Sequence, residues 1–276
     1  MDSTAEVYDA LLDDARDGVA AVASGPDADE AGPLYESLVD TFQGLALCNL
    51  LLRYDADQFR SDLVFAGGAR RQLLQVCARD GARPRQRALS RTDALFCAVA
   101  ARDQPLVDDL VRLGPTEWIE AGEYEDDFCY HAFLSRIVAP APAESLPPAD
   151  GLLDRFEAAL QGDSTPRLDI CRALDADDSA AFRAAFDDLL VEREAWGEEL
   201  YPDRRDQPLF LVARYAFVEG LALLAIADAR EWPMPDVYAF CPEPGRLRPT
   251  ETPPADLFLD VVPFIRESRR RRGLPS

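Results

Sequence analysis

Lysine is missing from this chain: all 29 of its basic residues are arginine, set against 51 Asp and Glu for a formal charge of −22. Without lysine there is no phosphate-cradling P-loop, and the one glycine pair in an apolar setting, "FAGGARRQLL", lacks the spacing as well. There is one histidine, His131. That excludes zinc sites with several His ligands and places any Ser-His-Asp triad at this single position. Cys129, two residues away, falls on another face of a helix, so the two make a poor nucleophile and base unless the helix unwinds. We expect His131 to be a satisfied, partly buried core residue, and no catalytic or cofactor-binding residue is assigned.

The six cysteines (Cys48, Cys77, Cys97, Cys129, Cys171, Cys241) contain no C-x-x-C, and most sit among Leu, Ala, Val and Phe. They read as reduced core thiols. The N-terminal "MDSTAEVYDALLDDARDG" is acidic from Asp2 and has no basic region ahead of an apolar stretch, unlike a secretory signal. The expected location is the cytoplasm. The most apolar run, 208–230, is interrupted by Arg214 and Glu219. Each costs about 2.5–3.5 kcal/mol at a bilayer centre, so a helix buried in a bundle is expected and no membrane association.

So acidic a surface repels phosphate, which argues against nucleic-acid binding by the main body, and it attracts a basic partner. Composition does not separate that origin from GC-rich codon usage or salt adaptation. The terminal "RESRRRRGLPS" is the exception, a basic stretch that folds back on the acidic face, trails free or contacts nucleic acid.

What is present is helical periodicity. Val7, Leu11, Leu12, Ala15, Val19 and Val22 recur at steps of three and four, and similar stripes run through 34–54, 57–79, 124–138, 151–161, 165–175 and 179–196. No strong period-2 strand occurs. The expected fold is all-α, a multi-helix bundle or an array of antiparallel hairpins. Two phrases, "AVAARDQPLVDDLVRL" at 98–113 and "CRALDADDSAAFRAAFDDLL" at 171–190, each hold an apolar run, an acidic break and a second run. They suggest two similar halves, 1–138 and 150–276, joined at about 139–149 through "VAPAPAESLPPADG", or packed as one domain. Ser90 opens a helix as a shortened capping box with Asp93. Pro105 stops that helix and starts the next, and Asp177 or Asp178 caps the second hairpin. Asp55 and Asp57 form a D-x-D that reads as capping rather than metal binding.

Two runs combine aromatics with acids. "EWIEAGEYEDDF" brings Trp118, Glu120, Glu123, Tyr124, Glu125, Asp126 and Asp127; "VEREAWGEELYPDRRD" brings Glu194, Trp196, Glu198, Glu199 and Tyr201. A solvated charged face is one reading. A carboxylate site for a divalent metal, or an acid and base pair, is another. The third is a docking patch for an Arg/Lys-rich protein, the aromatics giving buried area and the acids steering.

The order of these helices, with "FDDLLVEREAW", "FVEGLALLAIADAREWPMP" and "YAFCPEP", resembles the immunity protein 49 family of bacterial polymorphic toxin systems over roughly residues 35–245. The resemblance rests on helix order and short phrases, not on a catalytic signature. It implies a non-enzymatic antitoxin that binds a cognate toxin domain and blocks its active site or substrate groove; the acidic charge and the N-terminal reading add the expectation that this toxin is basic, acts in the cytosol and is blocked electrostatically as well as sterically. A helical-repeat adaptor for another protein and a carboxylate/metal-dependent enzyme are the alternatives.

Overall fold

The computed structural model describes residues 4–24, 28–81 and 84–248. The helix-like segment at 255–272 and its arginine cluster lie outside them. Thirteen α-helices are joined by short turns, and no strand occurs among the described residues. In chain order they are α1 Thr4–Val22, α2 Ala28–Cys48, α3 Ala56–Asp80, α4 Pro84–Arg87, α5 Ala94–Ala100, α6 Gln104–Leu113 and α7 Glu125–Val138. There follow α8 Ala149–Ala159, α9 Pro166–Asp175, α10 Ser179–Arg204, α11 Pro208–Ala213, α12 Val218–Ala229 and α13 Glu243–Arg246. The fold is the all-α array that the periodicity predicts.

Two helices form the centre, α3, which buries Arg60, Asp62, Arg70 and Arg71 along with its apolar residues, and α12, which is apolar on nearly every side. α3 packs against α2, α5 and α6, and α12 against α5. Every residue of α12 from Val218 to Ala227 is buried, as helices without a polar face must be. Gly67 on α3 is a contact point: a β-carbon there would come within 2.7 Å of Leu106 on α6. One cluster of buried apolar side chains runs from Val7 to Cys241. All six cysteines are unpaired and buried within it. Burial raises their thiols, Cys48 and Cys241 to about 12.

The resemblance between the two hairpins has a local cause. In each, one residue takes the left-handed conformation (Arg102, φ 59°; Asp177, φ 53°), and the next is an Asp that caps the following helix. Asp103 accepts from the Leu106 N–H, and Asp178 from the N–H groups of Ala180 and Ala181. The N–H of each capping Asp in turn reaches back to a carbonyl of the preceding helix, Ala98 or Ala173. Tyr54 and Asp55 repeat the device before α3, with Tyr54 left-handed and Asp55 accepting from the Gln58 N–H. Asp57 pairs with the buried Arg60, so the D-x-D serves capping and an ion pair.

Arginine without lysine also has a structural use. Forked guanidinium groups tie irregular segments to helices by donating to backbone carbonyls, which a single ammonium does less well. Arg70 reaches Gln86 and Ala88, Arg136 reaches Ala143 and Leu146, Arg230 reaches Leu174, and Arg246 reaches Pro235 and Asp236. The proline segment at 139–149 is held in this way by Arg136, with Ala143 and Leu146 buried.

Three expectations are corrected. Ser90 does not open α5; it lies in a 3₁₀ turn, where its N–H and hydroxyl both donate to Glu123. His131 is fully buried rather than partly, and its Nδ1 has no hydrogen-bond partner, so it is not satisfied. Burial without a counter-charge in contact lowers it to about 4 and keeps it neutral. The apolar run 208–230 is two helices, not one. The chain turns at 214–217, where the Phe217 N–H leaves the helical ladder for the Phe240 carbonyl, 2.8 Å away.

Candidate functional site

The break between α11 and α12 puts Glu219 in the first turn of α12, deep in the protein and 5% exposed. Carboxylates favour that end of a helix dipole, but burying one demands partners. Arg167 supplies a bidentate pair, Nε to Oε1 at 2.8 Å and Nη2 to Oε2 at 2.7 Å, and the Tyr130 hydroxyl donates to Oε1 at 2.8 Å. Burial pushes the carboxyl up, but Arg167 and the hydrogen bonds outweigh it and hold Glu219 below the usual range. Arg167 itself stands at the start of α9, the unfavourable end for a cation. Its pKa is raised chiefly by Glu219, with Asp127 contributing more weakly.

Above this pair opens a cavity of about 280 Å³. Asp40 and Gln43 of α2, Asp93 before α5, Arg167, and Arg193, Trp196 and Arg204 of α10 line it, closed by Phe210 and the 216–219 turn. Asp93 occupies the N-cap position of α5 yet caps nothing; its carboxylate faces the cavity and accepts from Gln43 at 3.1 Å. Asp40 has no hydrogen bond or ion pair among the described residues. Both acids remain open to water at the cavity mouth while protein surrounds them on most sides. Desolvation raises both. For Asp40, repulsion from Asp93 and Glu36 adds to this, against weaker relief from Arg91, and takes it to about 6. Arg193 is held in place: it donates to the Ala213 carbonyl and lies 3.9 Å from the Trp196 ring and 4.8 Å from Phe217. Burial lowers it to about 10.

The acid-aromatic runs divide around this cavity. In the first, Trp118 is half-buried, donates to the Glu123 carbonyl at 3.1 Å and lies under Arg155, which also pairs with Glu125 at 2.5 Å. Glu123 is taken up by Ser90. Glu120 and Tyr124 are exposed, Asp126 is half-buried, and Asp127 is raised by burial and by Asp126. In the second run Trp196 packs on Phe210 and forms part of the cavity wall. Glu198 pairs with Arg214 at 2.5 Å, and Arg214 also covers Tyr201. Glu194, Glu199 and Tyr201 face solvent. Thus the second run borders the cavity directly, and the first approaches it only through Asp127 toward Arg167.

The sequence reading missed Asp40, Asp93, Arg167 and Arg193 and noticed Glu219 only as an interruption. The usable signal was that interruption, since an acid inside an otherwise apolar helix must be paired. A second cavity of about 260 Å³ lies between α5, α6, α7 and α12, walled mainly by Val99, Val107, Ile137 and Ile226. Among the described residues no three His, Cys, Asp or Glu side chains converge as metal ligands, and no helix is long and apolar enough to cross a membrane.

No curated protein and no solved structure matches the chain. A family model described as Immunity protein 49 matches residues 52–243, well over half of the sequence and every cavity residue except those of α2. An all-α chain matched over that span belongs to the immunity protein 49 family.

Proposed function

We propose that this protein is an antitoxin that acts in the cytosol, binding a cognate, basic toxin domain and covering its working surface. Membership of an immunity-protein family carries the reading. The formal charge of −22 supports the basic partner, because a toxin acting on nucleic acid is itself cationic and a rigid acidic exterior mimics its substrate. The docking face we infer is the solvent side of α10 with the cavity beside it: Glu194 and Glu199 make no ion pair among the described residues there, beside Tyr201 under Arg214, whereas Glu123, Glu125 and Glu198 are occupied within the protein. The non-enzymatic role belongs to the same proposal.

Co-expression with the toxin domain encoded beside its gene tests this. Growth should be rescued and the two proteins should co-elute, more weakly at high salt. Well-folded protein that neither rescues nor binds would end the proposal. Asp40 and Asp93 at the cavity mouth motivate a second reading, a carboxylate enzyme using a divalent metal. Calorimetry with Mg²⁺, Mn²⁺ and Ca²⁺ decides it: heat of binding that disappears in Asp40→Asn supports the enzyme, and none at millimolar metal removes it.

A further inference from the structure

We propose that Thr92 and His131 hold one buried water molecule between them, in a small cavity that joins the turn before α5 to α7. The site is independent of the antitoxin role.

The cavity has a volume of about 30 Å³, and Leu74, Leu89, Leu95, Leu110 and Val111 form its apolar walls. Four polar residues also line it: Arg70, Thr92, His131 and Ser135, each more than nine-tenths buried. Two of them carry an atom without a protein partner among the described residues, Thr92 Oγ1 and His131 Nδ1. The reasons are local. A threonine inside a helix returns its hydroxyl to the carbonyl one turn back, but Thr92 is extended (φ −147°, ψ 157°) between the 3₁₀ turn and α5. The His131 ring stands edge-on to Tyr130 and beside Phe96, with centroids 5.7 and 5.0 Å away, and neither ring bonds Nδ1. Buried polar atoms of this kind are met by ordered water, whereas cavities that stay dry are lined by apolar groups alone. This one has room for a single water molecule and none for an organic ligand.

Water suits both atoms because it donates and accepts, whichever tautomer the neutral imidazole holds. Two further contacts are at hand. Ser135 Oγ spends its hydrogen on the His131 carbonyl at 2.8 Å and keeps lone pairs to accept. Arg70 spends Nη1 on the Gln86 carbonyl and Nη2 on that of Ala88, which leaves N–H groups to donate. Internal waters are held by two to four such partners. An anion is the alternative occupant, since Arg70 forms no ion pair among the described residues. Its charge is answered instead by the two carbonyls and, from further off, by Glu36 and Glu123. In a chain of formal charge −22 a neutral molecule enters at less cost. Thr92 adjoins Asp93, and His131 adjoins Tyr130, the donor to Glu219. The water therefore ties the turn that carries Asp93 to the helix that supports Glu219.

The test uses the full chain. A high-resolution crystal structure should show one water within hydrogen-bond distance of both Thr92 Oγ1 and His131 Nδ1. In solution, oxygen-17 magnetic relaxation dispersion counts long-lived internal waters: Thr92→Val should lose one relative to wild type, and Thr92→Ser, which keeps the hydroxyl, should lose none. The single histidine gives a second readout, because its ring protons should show a cross-relaxation peak to water that is lost in Thr92→Val. A cavity that is dry or filled by a side chain, a bromide peak beside Arg70 in crystals grown in bromide, or an unchanged water count in folded Thr92→Val would each overturn the proposal. If Thr92→Val does not fold, the wild-type crystal structure and cross-peak decide alone. A water bridging the two atoms upholds the site, and none there removes it.

Discussion

Arg167→Met should destabilise the protein more than Glu219→Gln, although both remove the same ion pair. The asymmetry follows from burial: Glu219 has 6% of its side chain exposed and Arg167 has 39%. Truncating the arginine strands a carboxylate with only the Tyr130 hydroxyl, and breaking a buried pair from one side costs about 3–5 kcal/mol. The lower end, about 3 kcal/mol, applies here because losing a partly exposed arginine also opens a path for water. Glu219→Gln keeps an acceptor for Tyr130, and Arg167 can turn toward solvent, so about 1–2 kcal/mol is expected. The pH dependence is sharper still. In the wild type Glu219 is held below its ordinary range, so its contribution is present above the unfolded value of about 4.5 and lost as pH falls through the lower folded value. In Arg167→Met burial acts alone and raises it above the unfolded value. That variant therefore loses stability as pH rises, and its deficit against wild type should shrink from about pH 7.5 to about pH 5. Urea unfolding followed by tryptophan fluorescence at both pH values measures this. Equal costs for the two variants, or a deficit that does not move with pH, would refute the reasoning.

Three further outcomes are expected. His131, buried and lowered to about 4, should contribute stability that is complete above its unfolded value of about 6.5 and fades as pH falls toward 4; His131→Gln should flatten that slope by up to about 3 kcal/mol in denaturant titrations. Gly67→Val should cost about 1–3 kcal/mol through overpacking against Leu106, seen as a lower melting temperature, with a neutral result arguing that α3 and α6 can move apart. Asp178→Ala should cost about 1 kcal/mol by uncapping α10, whereas Asp177→Gly, relieving a left-handed residue, should cost less or add stability.

Helix class, helix order and the reduced buried cysteines were legible in the residues, because a 3.6-residue apolar period and isolated thiols among apolar neighbours are local signals. The two alike hairpins were legible too, and their likeness resolves into one left-handed residue followed by a capping Asp. The single helix at 208–230 failed for an equally definite reason. Nothing in "RYAF" forbids helix, and the ladder breaks there only because a carbonyl from Phe240, distant in sequence, takes the Phe217 N–H. That break sets Glu219 against Arg167 and opens the cavity. Its residues come from α2, the turn before α5, α9, α10 and the 216–219 turn, which no spacing in the chain could bring together.

The chain's own composition determined that it is helical, acidic and held by arginine, since propensity, periodicity and net charge are sums over residues and need no partner in space. Tertiary packing decided which acids are spent and which are free. Glu123, Glu125 and Glu198 look in the sequence like the surface acids Glu194 and Glu199, yet each is claimed by a donor. Asp40 and Asp93, ordinary in their local context, form no ion pair among the described residues, because a carboxylate's partners depend on what the fold sets within a few ångströms of it.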